Sequence, residues 1–139
     1  QRFDFSVRRQ LNFPKKIYVV DPAFSLLGGF NFSANKGRIL ENLVFVELKR
    51  RNMESYYYSN KNECDFVVKD GTKINEVIQV CYYLDKDNRE REINGLADAM
   101  KKFGLKKGTI LTMEQDEEIA MEGGKIRVLP VFKWLLGLD

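Results

Sequence analysis

Residues 63–84, ECDFVVKDGTKINEVIQVCYYL, alternate apolar and polar side chains on either side of a turn at residues 69–72. Alternation with a period of two, interrupted by turn residues, is typical of two antiparallel strands. Alternate residues of a strand share one face of a sheet. We therefore predict a hairpin in which Asp65, Gln79 and Cys81 converge on one face.

The same alternation puts the two cysteines of the chain, Cys64 and Cys81, on opposite faces, so we expect no disulfide between them. The chain contains no histidine, which excludes His-based acid–base catalysis and both Ser–His and Cys–His nucleophiles. Two cysteines without histidine do not supply the four ligands of a zinc site. An ion held by oxygen ligands, such as Mg²⁺, remains the candidate cofactor, and we expect no haem, zinc or nucleotide.

The rest of the 139-residue chain predicts one α/β domain. Helices are expected at GRILENLVFVELKRRN, from Asp87 to Gly104 with Glu90 as a capping-box partner, and at KWLLGL. Strands are expected at Lys16–Val20, YYYSN, GTILTM and KIRVLPVF, with EQDEE as an acidic loop. The main order is helix, three strands, helix, strand, αβββαβ, which predicts a mixed sheet between helices.

The first long helix places carboxylates on a face that is expected to be buried. At 100° per residue, its apolar stripe consists of Leu40, Leu43, Val44 and Leu48. Glu47 falls near the centre of this stripe, and a buried carboxylate needs a cation or hydrogen-bond donors. We interpret Glu47 as half of a structural ion pair. Glu41, at the edge of the stripe, either faces solvent or points inward toward Asp65.

The order αβββαβ, with a Glu on the helix and paired polar positions on two strands, resembles the PD-(D/E)xK nuclease superfamily, which has the restriction-endonuclease-like fold. KIYVVD, GRILENLVFVEL, ECDFVV, IQVCYYL, Arg91–Glu92 and KWLL resemble one branch more closely. This branch is the nuclease-like C-terminal domain of prokaryotic AAA-type ATPases. The resemblance covers nearly the whole chain. It implies residues 1–35 as an extension toward an ATPase and winged-helix region, and residues 36–139 as the nuclease-like domain.

In active members of the superfamily, the strand Asp and the (D/E) residue bind Mg²⁺, the Lys orients or activates water, and the helix Glu assists the metal. By position these are Asp65, Gln79, Cys81 and Glu41. Gln79 offers a neutral amide oxygen where a carboxylate is expected. Cys81 brings no ammonium, and an ordinary thiol has a pKa of about 8.5. The resemblance therefore implies a degenerate motif, in either a weakened nuclease or an inactive regulatory module.

Structural alternatives exist for these positions. Asp65 is also compatible with a strand-end residue held by a turn or an arginine, and Gln79 with a hydrogen-bonded amide in a polar pocket. Cys81 is also compatible with a small buried apolar residue. Glu63, on the predicted face of Asp65, and Glu76 are further acidic candidates.

Nucleic acid, DNA or RNA, and the ATPase module of the same chain are the partners that the resemblance implies. The candidate phosphate-binding residues are Arg91, Lys101, Lys49 and Arg50. Lys49 and Arg50 equally suit the C-terminal end of a helix dipole, and Arg91 equally suits an ordinary surface. Lys101 and Arg91, on the second long helix, are candidates to replace the positive charge that position 81 lacks, although their spacing does not require it. The net charge of +3 is only a weak bias toward anionic partners.

Neither a membrane span nor a signal peptide is expected. No apolar run approaches the roughly 20 residues that cross a bilayer, and the N-terminal QRFDFSVRRQ is charged. Two thiols without an export signal favour the reducing cytoplasm. The chain does not begin with Met, which favours part of a longer or processed polypeptide.

Overall fold

The structure, a computed structural model, describes residues 1–20 and 36–138. Its elements in chain order are α1 (Val7–Asn12), α2 (Lys36–Arg50), β1 (Glu54–Ser59), β2 (Glu63–Asp70), β3 (Lys73–Val80), α3 (Arg89–Phe103), β4 (Lys107–Thr112), β5 (Glu117–Met121), β6 (Gly124–Pro130) and α4 (Val131–Leu136). The strands form one mixed sheet in the order β1-β2-β3-β4-β6-β5. The α/β class and the order helix, three strands, helix, strand are confirmed.

Helices cover both faces of this sheet because the strands carry apolar side chains on both sides. The first apolar cluster joins β2 and β3 to α3 through residues such as Val67, Val77 and Leu96. The second joins the same strands to α2 through residues such as Phe66 and Val44. We call these two sides the α3 face and the α2 face. Strands β3 and β4 are parallel, and the chain passes through α3 between them. Strands β4 and β6 are also parallel, and the chain passes through β5, which pairs antiparallel with β6, between them.

The predicted strand at Lys16–Val20 is wrong, because this segment does not join the sheet. Its backbone is held by a side chain: the amide of Asn42 in α2 accepts from the N–H of Val19 at 2.8 Å and donates to its carbonyl at 2.9 Å. The sheet edge at β1 is contacted by the N-terminus instead, through an isolated parallel bridge between Arg2 and Tyr57. The predicted domain boundary after residue 35 adjoins residues 21–35, which lie outside the described residues.

The predicted start of the second long helix at Asp87, with its capping box, is also wrong. Helix α3 begins at Arg89, and its N-cap Asn88 makes no capping side-chain hydrogen bond. The preceding turn is organised by Asp85, whose carboxylate accepts from the backbone N–H groups of Asp87 and Asn88 at 2.9 and 3.2 Å. The predicted end at Gly104 is confirmed, since this residue adopts a left-handed conformation with φ of 69°.

The acidic segment EQDEE was predicted as a loop, but its last two residues begin strand β5. This strand pairs antiparallel with β6, with Ile119 opposite Ile126. Ile119 and Met121 pack against the cluster of the α3 face. The alternation of apolar and polar residues after EQDEE therefore favours a strand, and this strand includes the last two glutamates of the segment at the edge of the sheet.

Strand β2 contains a bulge that changes which side chains share a face. Tyr56 pairs with Val67 and Tyr58 with Cys64, so that Asp65 and Phe66 together oppose the single residue Tyr57. An extra residue of this kind shifts the alternation of the strand by one position. Cys64 and Val67 consequently lie in the same cluster, whereas strict alternation would separate them.

The prediction that the two cysteines lie on opposite faces is therefore wrong. Cys64 and Cys81 both belong to the cluster of the α3 face. Both are free, buried thiols, so the expectation of no disulfide between them is confirmed.

Candidate functional site

Three carboxylates from two elements converge on the side chain of Lys16. The Nζ atom lies 2.8 Å from Asp65 Oδ1, 2.9 Å from Glu63 Oε1 and 3.0 Å from Glu41 Oε1. Glu41 comes from α2, and the other two acids come from the first three residues of β2. We call Glu41, Glu63 and Asp65 the acidic cluster. One positive charge thus lies among three negative charges.

The bulge in β2 explains why the carboxylate of Asp65 reaches α2. Strict alternation would put Asp65 on the side of Val67, which packs on the α3 face. Instead, Asp65 and Phe66 share the bulge, and the Asp65 carboxylate meets the ammonium that also contacts Glu41. Its second oxygen, Oδ2, accepts a hydrogen bond of 3.0 Å from the backbone N–H of Val80. The carboxylate is therefore fixed by one backbone donor and one cation.

The segment that carries Lys16 is attached to the domain by contacts on both sides of this residue. The hydroxyl of Tyr57 donates to the carbonyl of Pro14 at 2.6 Å. Tyr18 donates to Glu41 Oε1 at 2.6 Å and stacks on Phe45, with ring centroids 4.2 Å apart. Lys16 is therefore presented to the acidic cluster by an anchored backbone.

Sequence reasoning did not identify Lys16 or Tyr18 as residues of this site. The available signal was the i, i+2 spacing of a cation and an aromatic hydroxyl in KIYVVD, which places both on one side of an extended segment.

Gln79 lies beside Asp65, but its amide is directed toward the other face of the sheet. Its Oε1 accepts a hydrogen bond of 3.1 Å from the backbone N–H of Asp65. Its Nε2 donates to Glu92 Oε2 of α3 at 2.6 Å. The prediction that Asp65, Gln79 and Cys81 share one face is therefore wrong for Asp65. Gln79 supports the backbone of Asp65 from the α3 face, while the carboxylate of Asp65 joins the acidic cluster on the α2 face.

Cys81 is part of the apolar cluster of the α3 face, together with Val77 and Leu84. Burial raises the pKa of its thiol to about 12, and the negative charge of Glu92 acts in the same direction. The thiol is therefore protonated at neutral pH. It provides neither a thiolate nor a positive charge to the acidic cluster.

The acidic cluster combines desolvation with strong pairing. Burial raises the pKa of Asp65 to about 6, although the positive charge of Lys16 opposes this rise. Burial alone would lower the pKa of Lys16, but the charges of Asp65 and Glu41 outweigh it and raise the pKa above its usual value. Burial, together with the charge of Glu41, also raises the pKa of Tyr18. Lys16 is therefore a permanent cation at neutral pH, and Tyr18 remains a hydrogen-bond donor.

The basic candidates lie outside the acidic cluster. Arg91 donates to Glu92 Oε1 at 2.6 Å, and its side chain is 75% exposed. Lys101 is exposed on the same helix. Lys49 and Arg50 end α2, about two helical turns beyond Glu41. Arg91 is linked to Gln79 through Glu92, which accepts hydrogen bonds from both side chains.

Glu47 is the structural ion pair that the sequence predicts. Its carboxylate accepts from Arg50 Nε at 2.7 Å and from Arg51 Nε at 2.6 Å. The hydrogen bond from Arg50 is the largest cause of a lowered pKa, which falls to about 2. Arg51 also donates to the carbonyl of Trp134 at 2.9 Å, so Glu47 stabilises the contact between α2 and α4. Glu76, the other acidic candidate, pairs with Val68 further along the hairpin.

The donors of the acidic cluster suit Mg²⁺, which prefers carboxylate oxygens. Across residues 1–20 and 36–138, no group of three or more His, Cys, Asp or Glu side chains is arranged so that it could hold a metal ion. The acidic cluster is instead arranged around the ammonium of Lys16, which contacts all three of its carboxylates. In the same described residues, no helix is both long and apolar enough to cross a membrane.

Comparison with known proteins identifies relatives but no characterised activity. An uncharacterized protein of Methanocaldococcus jannaschii is 38% identical over 144 residues, covering 96% of this chain and 32% of the relative. The chain thus spans about a third of the length of that relative. No solved structure matches the sequence significantly. The sequence profile of DUF4143, a domain of unknown function, matches residues 36–134. The chain therefore belongs to the DUF4143 family.

Proposed function

We propose that this domain is a PD-(D/E)xK nuclease-like domain of a prokaryotic AAA-type ATPase. It binds nucleic acid and hydrolyses phosphodiesters with Mg²⁺ held by Glu41, Glu63 and Asp65. The observation that carries the proposal is the convergence of these three carboxylates on one cationic atom, each within 3.0 Å of Lys16 Nζ. Asp65 is buried, Glu41 is half-buried and Glu63 is exposed, and in this structure the ammonium of Lys16 is the cation that compensates their charges.

In this proposal Mg²⁺ replaces the ammonium of Lys16 among the three carboxylates, because both cations need the same oxygens. Glu63 supplies the third carboxylate that Gln79 does not provide. Glu41, Glu63 and Asp65 would hold the Mg²⁺ ion, which would supply the activation of water and the stabilisation of the leaving oxygen that phosphodiester hydrolysis needs.

The remaining residues of the site have positioning roles in this proposal. The backbone N–H of Val80 and the side chain of Gln79 hold Asp65 at the bulge. Tyr18 orients Glu41 through its hydroxyl. Arg91, exposed at the start of α3, contacts phosphate, and the more distant Lys101, Lys49 and Arg50 attract the nucleic acid electrostatically.

The ATPase module of this proposal rests on the sequence resemblance. The matched segment accounts for 32% of the Methanocaldococcus jannaschii protein, so that relative contains further sequence outside the matched segment. In this proposal, residues 1–35 connect that region to the nuclease-like domain at residues 36–139.

Cleavage assays test the nuclease proposal directly. Supercoiled plasmid, single-stranded DNA and single-stranded RNA are incubated with the protein while Mg²⁺ is titrated. We expect Mg²⁺-dependent cleavage of at least one substrate, reduced at least about 100-fold by Asp65→Asn because a metal ligand is lost. Asp70→Asn, at the exposed end of the same strand, is the matched control and should cleave like the wild type. Equal cleavage by wild type and Asp65→Asn would refute the assigned site.

The position of Cys81 favours a second candidate, an inactive regulatory or protein-interaction module of the ATPase. Its thiol lies in an apolar cluster on the face opposite the acidic cluster, so no ammonium is available from that position. A gel-shift assay at increasing salt separates the candidates. Nucleic-acid binding weakens steeply with salt, whereas a module that docks only on its ATPase gives no shift at any salt concentration.

A further inference from the structure

The outer half of the α2 face, over β4, β6 and β5, carries a cavity of about 300 Å³ that is separate from the acidic cluster. We call it the basic pocket; its walls include Lys107, Thr109, Glu118, Lys125, Arg127 and Trp134. We propose that the basic pocket binds the phosphate backbone of a single nucleic-acid strand. This inference rests on the nucleic-acid binding of the proposed function, but it requires neither Mg²⁺ nor the acidic cluster.

Strand alternation places three cations on the same side of the sheet. Ile110 of β4 and Ile126 of β6 pack in the cluster of the α3 face, so Lys107, Lys125 and Arg127 have their side chains on the α2 face. Helix α2 packs on β1 and β3, at the other side of the sheet. The two lysines are therefore exposed and the arginine is half-buried.

The pairing register brings like charges together at the entrance of the basic pocket. Lys107 and Lys125 are direct partners in the parallel pair of β4 and β6, and neighbouring strands lie about 4.8 Å apart. Like charges at paired positions of a sheet are unfavourable. An anion bound between the two ammonium groups relieves this repulsion.

The carboxylates of this region neutralise only half of its positive charge. Lys125 Nζ lies 2.7 Å from Glu118 Oε2. Asp116 contacts both Arg127 and Lys133. Within the described residues, none of these salt bridges includes the exposed lysine of β4. Four cations thus face two carboxylates, and two positive charges remain for a ligand.

The other walls of the basic pocket suit a nucleic-acid strand. Thr109 adds a hydroxyl group, and Leu129 and Trp134 add an apolar wall. Positive grooves that include aromatic side chains are typical of proteins that bind single strands without sequence preference. The two exposed lysines are flexible point charges, which suit phosphate groups. The volume lies at the lower end of the range for ligand pockets, so the cavity takes a unit of a strand rather than a duplex.

Fluorescence anisotropy of a labelled single-stranded DNA tests the inference on the 139-residue chain, without Mg²⁺ so that no cleavage occurs. The variant Lys107→Gln/Lys125→Gln is compared with Lys61→Gln/Lys106→Gln, which removes two exposed lysines outside the basic pocket. We expect the pocket variant to bind at least about tenfold more weakly than this control. Its plot of log affinity against log salt should also be flatter by about 1.4, because each phosphate contact to a single strand contributes about 0.7.

Glu118→Gln gives a change that a folding defect does not imitate. It removes the carboxylate that pairs with Lys125 in the wall of the pocket. We expect this variant to bind the DNA at least about threefold more tightly than Glu114→Gln, which removes an exposed carboxylate outside the pocket. Equal affinities of these two variants would overturn the inference.

The outcomes separate this inference from the proposed function. If the wild type binds the DNA and the two lysine double variants bind it equally, nucleic-acid binding stands and the basic pocket is not its contact. If the wild type binds neither single-stranded DNA nor single-stranded RNA, both proposals are wrong. If labelled poly-L-glutamate binds more tightly than the DNA and requires Lys107 and Lys125, the pocket takes the carboxylates of an acidic protein, which also refutes this inference.

Discussion

The side-chain oxygen of Gln79 accepts a hydrogen bond of 3.1 Å from the backbone N–H of Asp65. The side chain of Gln79 thus joins β3 to β2 at the bulge in β2. The other end of the same amide donates to Glu92 in α3. Gln79 therefore links the α3 face to the residue that carries the central carboxylate of the α2 face.

This linkage predicts that Gln79→Glu destabilises the protein, although it restores the carboxylate of the (D/E)xK motif. The new carboxylate loses the donor to Glu92 and adds a like charge in a buried place, which costs about 2–4 kcal/mol. Urea unfolding at pH 7 measures this loss.

The double variant Gln79→Glu/Glu92→Gln is the matched control. It restores an amide–carboxylate pair in which the amide at position 92 donates to the carboxylate at position 79. We expect it to recover at least about 1 kcal/mol relative to Gln79→Glu. No recovery would show that the contact with Glu92 does not set the cost.

The close approach of Gly95 in α3 to the backbone of Glu63 is a second connection between this helix and the acidic cluster. A Cβ atom at this position would lie 2.1 Å from the carbonyl oxygen of Glu63, so Gly95→Ala must displace the helix or the start of β2. We expect a loss of about 1–3 kcal/mol of unfolding free energy, measured by urea denaturation.

The proposed metal site predicts in addition that Mn²⁺ binding weakens in Gly95→Ala, because Glu63 moves. The control is Gly37→Ala in α2, where an added Cβ meets nothing within 4 Å. Because Gly37 lies in the first turn of α2, this variant should be unchanged or stabilised by at most about 0.5 kcal/mol. Destabilisation of equal size in both variants would contradict the steric explanation.

The ion pair of Glu47 predicts a pH-dependent contribution to stability. Its folded-state pKa is lowered to about 2, chiefly by the hydrogen bond from Arg50, whereas an unfolded glutamate titrates near pH 4.3. The contribution is therefore complete above the unfolded pKa and is lost as the pH falls toward 2. We expect Glu47→Gln to lose about 1–2 kcal/mol at pH 7 and much less near pH 2.5.

Chemical denaturation of both proteins across this pH range provides the measurement. Glu122→Gln, at an exposed turn, is the control and should follow the wild type at every pH. A difference between Glu47→Gln and the wild type that stays constant down to pH 2.5 would exclude the ion pair as its cause.

The burial of Cys81 predicts a slow reaction with alkylating reagents. Burial raises the pKa of this thiol to about 12, and only the thiolate is nucleophilic. We expect labelling of Cys81 by iodoacetamide at pH 8 to be at least about 100-fold slower in the native protein than in urea. Asn60→Cys, which places a thiol at an exposed position, should react rapidly in the native state and so verify the reagent. Comparable native rates at positions 60 and 81 would contradict the buried location.

Most of the elements could be predicted because their signals are local. The stripe of α2, the alternation of β3 and the left-handed end of α3 at Gly104 each depend on residues within a few positions of one another. The segment at Lys16–Val20 could not be predicted correctly from its alternation. Its hydrogen-bond partner is the side chain of Asn42, which is distant in the sequence and competes with a strand ladder.

The sequence by itself determined the chemistry that is available: no histidine, two cysteines, and acids at positions 41, 63 and 65. It also determined the mixed α/β architecture, through the periodicity of its apolar residues. Only the tertiary structure decided which of these groups meet. The bulge opposite Tyr57 turned Asp65 toward α2, and the packing of residues 14–19 brought Lys16 into the acidic cluster. A bulge depends on how two strands pair, and an ion pair between residues 16 and 65 depends on chain folding, so neither is encoded in the local pattern.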